Sequence, residues 1–165
     1  MSISDDYLAR LAAVEARLAA AAASEPSPGA LTGADPESGE RWDRGQVWAH
    51  VSEFIPYWIA QAAPVLRGQP SGEPVPFGRT KSDPERIGAI ERDRREPVSM
   101  LWGDTRSDIA GLREFLAGVE PGQWDARGLH PTLGAMTMDQ LVEMFLVGHL
   151  EQHAHQLEGM SPASA

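Results

Sequence analysis

Apolar residues recur every three or four positions through four separate stretches of the chain. Tyr7, Leu11, Val14 and Leu18 keep that spacing within residues 4–24, in an alanine-rich background, which predicts a first helix. Val47, His50, Phe54, Tyr57, Trp58 and Val65 form one broad face of a second helix over about 43–66, which Pro56 and Pro64 would kink or end. Asp83 as N-cap and Pro84 as first helical residue open a third, carrying Ile87, Ile90, Val98, Leu101, Trp102, Ile109, Leu112 and Leu116. Pro97 lacks an amide proton, so a kink or short break is expected near Glu96. Thr137 caps the fourth helix, about 138–158.

Between these stretches, residues 25–40, 68–83 and 118–134 are punctuated by proline and glycine and read as surface connections. No strand alternation of useful length is visible. The expectation is an all-α fold: one four-helix-bundle domain over residues 1–165, with 1–3 and 160–165 as flexible tails. The connection over 68–83 is long enough to cross the end of the bundle, which permits helices two and three to run parallel.

Charge and composition narrow the chemistry. A net charge of -10 repels phosphate backbones, which argues against nucleic acid as a partner. The charged run ERDRRE at 91–96 contains both signs and reads as a solvated helix face. Charged residues interrupt the N-terminal stretch ahead of LAAAAAS, and no apolar run approaches the ~20 residues a bilayer span needs, so a soluble cytoplasmic protein is expected. With no cysteine, the chain has neither a thiolate ligand nor a thiol nucleophile of its own.

The candidate chemistry lies on the fourth helix. Val142, Phe145, His149, His153 and Gln156 extend one inward stripe, and His149 and His153, four residues apart, are close enough to reach one ion. His155 points the other way, toward solvent. A third ligand must come from elsewhere, and His50 is the remaining histidine on an inward helical face. Three neutral nitrogen donors with open positions resemble a catalytic metal site; zinc is the first choice, with nickel, iron or manganese as alternatives. Glu53 and Gln156, each one turn from a ligand, are candidates to hold a second ring nitrogen or a bound water. Phe54 and Trp58 are candidates to wall an apolar pocket beside the ion. His130 lies in a loop and either packs on Trp124, caps the helix start, or reaches the mouth of the site. The bland alternative is a structural bundle with three core histidines.

The ordered segments VWAHVSEF around His50, WDARGLHPTLGAMTMDQL around His130, and GHLEQHAHQLE around His149 and His153 resemble the DinB/YfiT-like superfamily of metal-binding four-helix bundles. These include mycothiol-dependent maleylpyruvate isomerase and thiol S-transferases. The resemblance implies an up-down-down-up bundle, a homodimer, a metal triad of His50, His149 and His153, and a glutamine at Gln156 following the last ligand. The expected activity is transfer of a low-molecular-weight thiol, mycothiol, bacillithiol or glutathione, activated as thiolate by the metal, to a small electrophilic substrate. A non-catalytic metal- or ligand-binding bundle and a hydrolase using metal-activated water are the alternatives.

Overall fold

A computed structural model describes residues 1–160. The chain is mostly helical, and side-chain caps at Ser2, Asp43, Asp83 and Thr137 open four of its helices. Ser2 exchanges side-chain and backbone hydrogen bonds with Asp5 at the head of α1, Ile3–Ala23. Asp43 and Gln46 form the same reciprocal box at the head of α2, Arg44–Arg67. Pro56 and Pro64 neither end nor interrupt α2. Asp83 accepts the Arg86 amide proton to open α3, Pro84–Asp93. The expected break before Pro97 separates α3 from α4, Val98–Gly118.

The fourth helix departs from the expectation of a single rod. It is divided at Leu146 (φ -123°, ψ -92°) into α5, Met138–Phe145, and α6, Val147–Gly159. Gly148 belongs to this break, because a Cβ there would collide with the carbonyl oxygen of Glu143.

Side-chain contacts give the relative directions. Along α1, Tyr7 bonds Asp139, Arg10 pairs with Glu143 and Glu151, and Arg17 pairs with Glu158, so α1 runs parallel to α5 and α6. Arg113 pairs with Glu15, and the Ser4 hydroxyl lies against the Val119 carbonyl, so α4 runs antiparallel to α1. His50 meets His149 while Trp58 meets Phe145, so α2 is antiparallel to α5 and α6. Helices α2 and α4 therefore point the same way, as the long crossover permits. Leu11, Leu18, Val47, Phe54, Ile109, Leu112, Leu141 and Leu150 are fully buried among them.

A small sheet corrects the strand-free expectation. β1, Val75–Pro76, pairs in parallel with β2, Arg127–His130, which pairs antiparallel with β3, Gly134–Thr137. Residues 68–83 and 118–134, read as loops, thus supply β1 and β2, β3 begins at the last of them, Gly134, and a 3-10 turn spans Pro121–Asp125. Strands of two to four residues are too short for alternation to register, and the β1 partner lies some fifty positions away. Gly134, at φ +78°, adopts the left-handed conformation that closes the β2–β3 turn.

Of the expected tails, Ser2 and Ile3 belong to α1 and its cap, and Met160 is buried with its carbonyl accepting the Ser27 amide proton. The remainder, 161–165, lies outside the described residues. Among the described residues no helix is long and apolar enough to cross a membrane.

Candidate metal centre

His50 from the first half of α2 and His149 and His153 from α6 converge inside the molecule. Their ring centroids are 4.5 to 5.4 Å apart, although 99 residues separate His50 from His149. The Nε2 atom of His149 lies 3.1 Å from Nε2 of both His50 and His153. Two nitrogens bound tetrahedrally to one zinc ion stand about 3.3 Å apart. The three histidines could therefore hold a metal ion with little movement.

The second ring nitrogens strengthen that reading. His153 Nδ1–H donates to Gln156 Oε1 at 2.7 Å, which leaves Nε2 with a lone pair. His50 Nδ1 faces Glu53 Oε2 at 3.3 Å, and neither atom has another hydrogen-bond partner. The Gln152 side chain lies beside the His149 ring and raises its pKa against the effect of burial. Burial pushes His50 and His149 well below the ordinary imidazole range, helped by neighbouring rings and by the Arg86 charge. Burial also brings His153 down to about 4, against the pull of Gln156. At neutral pH the triad is three uncharged imidazoles, each with one ring nitrogen that carries no proton and can offer a lone pair.

Phe54 is fully buried beneath the triad, its ring centroid 4.6 Å from His149 and 5.1 Å from His50. Glu53 faces His50 and is ion-paired with Arg79. Burial pushes its carboxyl up and the Arg79 bond opposes that. Arg79 also lies 3.8 Å over the Tyr57 ring. A cleft of about 980 Å³ opens on the three histidines and is lined by Trp42, Gln46, Lys81, Arg86, Gln152 and Gln156, among others. His155 is exposed at its outer part.

Trp58 and His130 do not line this cleft. Trp58 stacks on Phe145 at 4.1 Å, and Phe145 stacks on His130 at 5.2 Å, forming an aromatic layer on the far side of Phe54. His130 does not pack on Trp124, which stacks on Tyr7 instead. His130 borders a separate cavity of about 620 Å³ with Phe77 and Gln61. Its Nε2–H donates to the Arg79 carbonyl, and its Nδ1 accepts the amide protons of Thr132 and Leu133. Among the described residues, His130 thus reaches the histidine cluster through the backbone that carries Arg79.

Arg79, Arg86 and Gln152 escaped the sequence reading. Arg79 sits in a proline- and glycine-rich connection with no periodicity to orient it. Arg86 gives a usable signal, being one residue from Ile87 and four from Ile90 on a helix that packs against α2.

Compared with known protein families, curated proteins and solved structures, the chain matches none.

Proposed function

We propose that this protein is an up-down-down-up four-helix bundle of the DinB/YfiT type. In this reading it binds a divalent ion at His50, His149 and His153 and transfers a low-molecular-weight thiol to small electrophiles. One observation carries the reading: three Nε2 atoms converge while Gln156 holds one of the remaining ring nitrogens and Glu53 faces another. When bound, a divalent cation lowers the pKa of a coordinated thiol and so supplies thiolate at neutral pH. Zinc suits three imidazoles and an open position best, with nickel, iron and manganese as the alternatives. The cysteine-free chain must receive its thiol from outside, and mycothiol is the candidate that the resemblance suggests.

The chain's own residues do the rest. Phe54 floors the site and excludes water beneath the rings. Gln156 and Glu53 hold His153 and His50 in orientation, and Arg79 keeps Glu53 in place. The sulfur lone pair forms the new carbon–sulfur bond, the electrophile's leaving group departs with its bonding pair, and the thiol proton passes to solvent. Cytoplasmic location and a homodimer belong to the same reading.

A second reading, a non-catalytic metal- or ligand-binding bundle, is favoured by one feature. Glu53 is the carboxylate against the triad, and its ion pair with Arg79 keeps it from serving as a free general base. That feature weighs most heavily against the hydrolase variant, which needs a base for its water. The test is zinc-loaded protein, purified without an affinity tag, incubated with mycothiol, bacillithiol or glutathione and monochlorobimane. Thioether formation above the His149→Ala background supports the transferase. No turnover with any of the three thiols, despite stoichiometric zinc, leaves the binding reading.

A further inference from the structure

Two cations, Lys81 and Arg86, line the cleft over the triad, and they differ in what they touch. Lys81 is ion-paired with Asp35 and Glu37. Arg86 has no ion-pair partner among the described residues. One Nη1–H donates to the Lys81 carbonyl, and the guanidinium lies 5.5 Å over the Trp42 ring. Of the carboxylates that influence it, Glu53 is held by Arg79, Asp83 accepts an amide proton at the α3 cap, and Glu40 is an exposed side chain of the same cleft that makes no ion pair with it. Arg86 is half-buried, and its charge is felt at all three histidines. A half-buried guanidinium without an ion-pair partner, facing a cleft, is suited to meet an anion from outside.

We infer that this cleft binds a small carboxylate-bearing molecule, with Arg86 as the carboxylate anchor and Trp42, Ile87 and Ile90 against the carbon frame. Ile90 is buried and Ile87 is half-exposed, so the apolar wall runs from the cleft floor to its rim. Arg86 is a planar fork of donors whose free N–H groups match the two oxygens of a carboxylate, which an amide cannot replace. The proposal deepens the proposed function by naming the class of its small-molecule substrate, and it rests on that reading only for what lies at the ligand's other end.

The test is calorimetric titration of the full chain, zinc-loaded and chelator-treated, with 3-phenylpropionate and its amide. Wild type is expected to prefer the acid over the amide by about tenfold or more in both states. Arg86→Gln abolishes that preference in the metal-free protein while leaving amide binding unchanged, which also shows that the variant folds. Arg86→Lys keeps the charge without the fork and retains a reduced preference, and it serves as the readout if Arg86→Gln does not fold. Equal affinity for acid and amide, no binding of either, or a preference that survives Arg86→Gln overturns the proposal. Loss of stoichiometric zinc with the acid preference intact refutes the metal reading alone.

Discussion

Acid should unfold the metal-free protein partly through His153. Its imidazole sits near 4 in the folded protein because it is buried, against about 6.5 in an unfolded chain. Between those values the unfolded chain takes up a proton that the folded protein refuses. The stabilisation is therefore complete above about pH 6.5 and is lost progressively as the pH falls toward 4. At 1.36 kcal/mol per pKa unit, the gap corresponds to about 3 kcal/mol from this one ring. His50 and His149 are displaced in the same direction and add to the loss. Carboxylates also contribute to acid unfolding, so the comparison is between wild type and His153→Gln, both stripped of metal. Urea unfolding followed by tryptophan fluorescence at about pH 7 and about pH 4 should show wild type losing about 3 kcal/mol more than the variant. Removing His153 also removes a charge that would repel the other two rings, which widens the difference. Equal losses in the two proteins would refute the claim that His153 is held neutral by its surroundings.

Zinc at a hundred times its dissociation constant should stabilise the fold by about 2.7 kcal/mol, read as a rise in thermal midpoint that a chelator reverses. Gln156→Leu should weaken zinc binding by about 10- to 100-fold, measured by competition with a chromophoric chelator, with helix content unchanged. Gly148→Ala should lower the thermal midpoint through a steric cost of about 1 to 3 kcal/mol, because the new methyl meets the Glu143 carbonyl. Phe54→Ala should cost about 3 to 5 kcal/mol in urea titration, since the ring is fully buried under the triad.

Local chemistry was readable from the residues themselves. Asp43, Asp83 with Pro84, and Thr137 mark helix starts by bonds to amides two or three positions on, which the sequence displays directly. The His149–His153 pair follows from helical spacing, and the inward face of α2 was enough to select His50 as their partner. Whatever depends on distant pairing was not readable. The break at Leu146 leaves no proline to announce it, and the β1 strand exists because Val75 meets Gly128. Trp58 was placed beside the ion because it shares a face with His50. Eight residues of helix carry it about 12 Å along the axis, however, and the antiparallel α5 brings Phe145 to meet it there. Arg79 became visible only once the chain had folded back to bury its guanidinium against Glu53.

The long sequence interval between His50 and His149 gives a bound ion a mechanical meaning. An ion gripping both would close a loop of about a hundred residues, which in a chain-entropy account of cross-links corresponds to about 4.7 kcal/mol. A chain without cysteine could thereby possess the counterpart of a disulfide, one that proton concentration and metal supply, not oxidation, would fasten and release.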